Sequence, residues 1–183
     1  MSSAPQVRRT DKLMSEARVR EIVSSAYSGR LATVSPQGWP YICPLLYVWM
    51  NEEIWVHNTS ARGHLRSNVE HESRVCFELD EPGEVFPYGR FECDTSIAYR
   101  SVVAFGVIRI VDDKEQKAAF FDALMKKYAS RDVGRAKSFY PRLDQVTVYA
   151  IAIERMTGKE TLLPTLENQW PATDNTKSPH AKP

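Results

Sequence analysis

The order of elements predicts a mainly β fold, an antiparallel barrel with helices packed on its outside. Three observations carry this expectation. Most strand-like runs follow one another through short turns, as hairpin-linked strands do. Helical periodicity is confined to two clear segments and one short one, too few to cover a parallel sheet on both faces. The 183 residues, 43% of them hydrophobic, suit one domain with one core.

Residues 1–14 are polar, carry no period and read as a flexible arm. Ser15 caps a first helix, whose apolar face is Val19, Ile22, Val23, Ala26 and Tyr27. Gly29 ends it in the manner of a C′ glycine. A short strand at 30–35 leads to the turn Pro36-Gln37-Gly38. Next comes a long apolar run, 41–50, whose Pro44 marks an edge or a bulge. Asn51-Glu52 joins it tightly to 54–57, so 41–57 reads as one hairpin. Further strands fall at 74–79 and 99–111, with an aromatic-rich loop, 81–97, between them. Asp113 caps a second clear helix, with Gln116 in the reciprocal position and Ala118, Phe121, Leu124, Met125 and Tyr128 as its core face. A final strand at 146–153 runs on to a turn at Thr157-Gly158-Lys159. The folded domain spans 15–170, and the Pro-, Ser-, Thr- and Lys-rich stretch 171–183 reads as a disordered tail.

The totals narrow the function. A net charge of +1 argues against bulk electrostatic binding to nucleic acid or membrane. No apolar run approaches the ~18 residues that span a bilayer, and the N-terminus lacks the apolar stretch of a secretory signal. Three cysteines without a CxxC pair give neither a disulfide framework nor a zinc knuckle, and fit a reducing cytoplasm. Cys76, in an apolar strand, reads as inert core. His57, His64 and His71 recur every seven residues, but on a strand and a helix with no Cys or carboxylate at a ligand interval, so no metal site is expected.

The chemistry concentrates in residues 55–68, WVHNTSARGHLRSN. Trp55 and His57 point to one face of a strand. Thr59 or Ser60 then caps a short helix whose first amides, near Ala61–Gly63, carry partial positive charge and welcome an anion. Arg62 and Arg66, four apart, project from one side of it, and Gly63 lets a ligand approach the backbone. Two guanidinium forks beside a helix N-terminus suit a phosphate monoester; a capped helix with a solvated basic face is the plainer alternative. Separately, Arg100 opens an otherwise apolar strand and needs a partner, either a carboxylate such as Glu78 or a ligand phosphate.

RLATVSPQGWPYICPLLY, WVHNTSARGHLRSN, RVCFEL, YRSVVAFGVIRIV and YAIAIERMTGKE occur in an order that resembles the flavin-binding split-barrel superfamily of pyridoxamine-phosphate oxidase, and within it the NimA-like nitroimidazole-resistance group. The resemblance implies a six-stranded split barrel, a homodimer and FMN at the dimer interface. It places Leu31, Ala32, Thr33 and Val34 along the flavin ring through backbone contacts. It puts His57, Asn58 and Thr59 by the ring and ribityl chain, and Arg62, Gly63, His64 and Arg66 at the phosphate. Tyr99, Arg100 and Ser101 would approach from a neighbouring strand, and Trp170 would pack on its own barrel or reach the partner's flavin pocket. The arginine-rich C-terminal substrate motif of true pyridoxamine-phosphate oxidases is absent, which points away from vitamin B6 oxidation. The implied function is an FMN-dependent oxidoreductase that reduces a small electrophile such as a nitroaromatic, with His57 as proton donor. A non-catalytic flavin-binding protein for storage or sensing is the alternative. Haem, a deazaflavin or single-stranded nucleic acid on the same barrel is a third possibility.

Overall fold

Capping rules set the two main helices where the sequence puts them. The computed structural model describes residues 7–89, 91–129, 134 and 136–169. Ser15 Oγ accepts from the Arg18 amide at 3.3 Å and opens α1 (Glu16–Ser25), which buries Val19, Ile22 and Val23. Asp113 likewise accepts from the Gln116 amide at 2.8 Å and opens α3 (Lys114–Tyr128). A third, shorter helix, α2, spans His64–His71. Residues 10–14, read as part of a flexible arm, are tied down instead. Leu13 bridges Lys159, and the Met14 amide donates to the Gly158 carbonyl at 3.0 Å.

Seven strands, β1 (Gly29–Val34), β2 (Pro40–Leu45), β3 (Tyr47–Met50), β4 (Glu53–Thr59), β5 (Arg74–Pro87), β6 (Thr95–Val111) and β7 (Val146–Thr161), form one antiparallel sheet ordered β2-β1-β5-β6-β7-β4-β3. The resemblance implies six strands. The difference arises because the apolar run 41–50 breaks at Leu46, and its halves pair at opposite edges, β2 with β1 and β3 with β4. Residues 41–57 are therefore not one hairpin. Pro44 lies within edge strand β2, where its missing N–H costs no ladder bond. Asn51 and Glu52, with φ of 55° and 60°, make the left-handed two-residue turn that a β3–β4 hairpin favours.

Pairing carries the central strands past their local stop signals. A bulge between Pro82 and Val85 lets β5 continue against β6, so most of 81–97 is a hairpin arm rather than a loop. Gly158 sits inside β7 opposite Val102, not in a turn. A Cβ there would meet Met14 and Val19 side-chain carbons at 2.4 and 2.7 Å, so packing of the N-terminal segment selects the glycine. Gly29 is likewise no helix cap. It opens β1, where a Cβ would lie 2.2 Å from the Phe77 ring.

The sheet has two apolar clusters. The larger joins α1 and α2 to Leu31, Ile54, Val56, Phe77 and Tyr149. The smaller lies under α3 and holds Val48, Trp55, Phe120, Leu124 and Val148. The buried face of α3 centres on Leu124, as expected, and on Phe120, which the expected stripe lacked; Phe121 and Tyr128 pack beside them and Met125 is exposed. Tyr27, also read as core, is exposed because α1 has ended before it. Among the described residues, no helix is long and apolar enough to cross a membrane. Trp170 and the stretch 171–183 lie outside the described residues.

Candidate functional site

Strand β4 sends alternate side chains into the two clusters. Ile54 and Val56 enter the larger one, while Trp55 faces α3. His57 follows Trp55, with its ring centroid 5.5 Å from Phe120 and 5.2 Å from Phe121. Its Nδ1 is buried without a hydrogen-bond partner among the described residues, and desolvation lowers its pKa below the ordinary 6.5. Asn58, on the other side, accepts from the Tyr149 hydroxyl at 3.2 Å. The Tyr149 pKa is raised, first by burial, and its neighbours include Arg66 and Glu70.

Beyond Thr59 the Ser60 amide donates to the Gln145 carbonyl at 3.0 Å, fixing the strand's exit. The helix begins later than the sequence suggests. Gly63, not Thr59 or Ser60, is the N-cap of α2, and no side chain caps it. Nothing lies within 4 Å of where a Cβ of Gly63 would be, so the approach to the first turn is open. His64 stands 5.5 Å, centroid to centroid, from the Tyr41 ring. The buried face of α2 is Leu65, Asn68 and Val69. The Asn68 amide donates to Thr33 Oγ1 at 3.0 Å, which links the helix to β1.

Arg62 precedes the helix and Arg66 lies in its first turn, yet both turn onto Glu70. Arg62 Nε and Nη2 donate to Glu70 Oε2 at 2.9 and 2.7 Å. Arg66 Nε donates to Oε1 at 2.5 Å. The two guanidinium groups, Arg66 first, hold the Glu70 carboxyl below its ordinary pKa. Arg62 lies outside the helix, so the two arginines do not share a helix face by spacing; they meet through their common acceptor Glu70.

The remaining predicted residues divide between places. Thr33 joins the junction through Asn68, and the Leu31 side chain is fully buried. Ala32, Thr33 and Val34 line a shallow depression of about 350 Å³ that Cys76 and Phe105 also border. Cys76 is half-buried rather than core, and burial raises its thiol pKa. Tyr99, Arg100 and Ser101 lie opposite Thr161, Glu160 and Lys159 of β7, whereas His57 is paired through Val148 to Val111. Along β6, Arg100 therefore stands eleven positions from Val111, the residue that aligns with His57 through Val148. Arg100 does take a carboxylate, but it is Glu81 at 2.7 Å; Glu78 instead accepts from Arg30 Nε at 2.6 Å. Among the described residues no group of three His, Cys, Asp or Glu is placed to hold a metal.

Three junction residues escape a reading by motif: Asn68, Glu70 and Tyr149. Glu70 was visible as the i+4 partner of Arg66. Asn68 had a weaker signal, a polar residue between Leu65 and Val69 on the helix's apolar side.

The family profile described as pyridoxamine 5'-phosphate oxidase matches residues 15–160, and the chain belongs to that family. No curated protein matches it by sequence. Among solved structures, it is similar to a candidate 5-nitroimidazole antibiotic resistance protein from Bacteroides thetaiotaomicron, at 20% identity over 80% of this chain and 85% of that one, with a TM-score of 0.67. It also resembles a flavocytochrome from Azotobacter vinelandii, at 15% identity over 95% and 78% of the two chains, with a TM-score of 0.73. A third similar structure is an FAD- and haem-binding protein from Mycobacterium smegmatis, at 18% identity over 85% and 77%, with a TM-score of 0.70.

Proposed function

We propose that the chain is a flavin-dependent oxidoreductase that holds FMN by its phosphate at the β4–α2 junction and works as a homodimer. The carrying observation is the convergence of Arg62 and Arg66 beside the uncapped first turn of α2. The donor set fits a phosphate monoester: guanidinium N–H groups, helix amides and the open backbone at Gly63. Family membership and the names of the flavin-binding structural relatives support the same reading.

In this reading Asn58 and Thr59 take the ribityl chain, His64 closes over the phosphate, and Leu31, Ala32, Thr33 and Val34 border the ring. Tyr99, Arg100 and Ser101 come from the second subunit, a placement supported by their position at the end of β6 opposite the residues that align with His57. Bound flavin supplies reversible hydride or single-electron transfer. The protein's part is to bind, orient and exclude water. The substrate is a small electrophile of the nitroaromatic kind, and the three free cysteines suit a reducing cytoplasm.

His57 favours a second reading. Burial keeps its imidazole neutral near pH 7, and its ring lies against α3 rather than beside Asn58. A protein that only stores or senses flavin needs no proton donor there. Release of the chromophore from the purified protein, with its mass, tests cofactor identity; a colourless protein that ignores added FMN refutes the proposal. Stopped-flow oxidation of the reduced protein then separates the readings. Rates that rise with nitroaromatic concentration mark an oxidoreductase, and acceptor-independent rates mark a binding protein.

A further inference from the structure

We propose that Glu70 is a positioning residue, which sets the Arg62 and Arg66 guanidinium groups so that their outer N–H groups are presented together to a phosphate. The inference rests on the phosphate reading above and assigns a role to a residue that no motif singles out.

The division of hydrogen bonds carries it. Glu70 takes Nε from both arginines, and from Arg62 also Nη2. Arg62 Nη1 and both Nη groups of Arg66 have no acceptor among the described residues. One carboxylate therefore holds the inner edges and leaves the outer edges for a ligand. Arg62 needs such a brace most. It lies in the segment before α2, and its side chain is 69% exposed. Without a brace, a long exposed side chain loses rotamer freedom when it grips a ligand, and that loss weakens binding. Glu70 itself is anchored, one turn along α2 from Arg66, on a helix pinned to β1 by the Asn68–Thr33 hydrogen bond. Arg66 and Arg62 hold its carboxyl below the ordinary carboxylate value, which favours the charged form of the brace.

The opposing view makes Glu70 a competitor that occupies the arginines and repels an incoming dianion. The two views predict opposite signs. Affinities for FMN and for riboflavin, which lacks the phosphate, are measured by fluorescence quenching on the wild type, Glu70→Ala and Glu70→Gln. We expect Glu70→Ala to weaken FMN binding about tenfold, the size of one charge-assisted hydrogen bond, and to leave riboflavin unchanged. Glu70→Gln, which keeps one acceptor oxygen, falls between. FMN affinity at or above wild type in Glu70→Ala overturns the proposal, and so does an equal loss for both ligands. A wild type that does not distinguish FMN from riboflavin removes the phosphate reading itself, and Glu70's role with it.

Discussion

On one face of β4, Trp55 and His57 lie against the Phe120 and Phe121 rings of α3; on the other, Asn58 meets Tyr149, and the strand runs out into the junction of Arg62, Arg66 and Glu70. The first region is aromatic; Trp55 Nε1 donates to the Met50 carbonyl, and His57 Nδ1 has no hydrogen-bond partner among the described residues. The second is polar and half-exposed, and its charges are paired before any ligand arrives. Both faces of β4 pack, through Trp55 on one side and Ile54 and Val56 on the other, and its polar side chains gather at its C-terminal end. The first region should answer to stability measurements, the second to binding.

The largest effect is expected at Phe120. It is fully buried in the α3 cluster, and Phe120→Ala should cost about 3–5 kcal/mol in urea unfolding. FMN affinity of the folded fraction should hardly change; a loss that tracks the destabilisation would join the two regions energetically. Asn68→Leu comes next. It leaves Thr33 Oγ1 without its amide donor in a buried site and should cost about 1–3 kcal/mol. Because Asn68 pins α2 to β1, this variant should weaken FMN binding as well, and unaltered affinity would show that the junction does not depend on that link.

The smallest effect is one of pH. Burial lowers the folded-state pKa of His57 below 6.5, so the unfolded chain takes up the proton first as pH falls. Stability linked to His57 is complete above about pH 6.5 and is lost as pH drops from there through the folded pKa. His57→Phe should therefore flatten the fall in melting temperature over that window relative to the wild type. Identical slopes would mean that His57 is not held neutral by burial.

Much of the fold was legible where one rule acts locally. Ser15 and Asp113 cap their helices, Asn51-Glu52 turns its hairpin, and Pro44 sits on an edge. What was not legible depends on partners distant in sequence. β5 passes Pro82 and β7 passes Gly158 because β6 continues beside both. The break at Leu46 cannot be read from an unbroken apolar run, since it follows from pairing at two edges. The site divides the same way. Arg62 and Arg66 stood out by spacing, but Glu70 as their shared acceptor spans eight positions from Arg62, across a helix start that no side chain marks. Likewise the choice between Glu78 and Glu81 for Arg100 turns on strand register, which a single strand's sequence does not state.

The central claim is that the β4–α2 junction holds a phosphate, and calorimetry of FMN and riboflavin on the wild type and the Arg62→Ala/Arg66→Ala double variant tests it most directly. Both side chains sit at the surface, so the variant should fold. FMN binding should weaken by about 100-fold or more, as expected for two charge-assisted contacts, while riboflavin binding stays within about twofold. A double variant that binds FMN as tightly as the wild type would contradict the account.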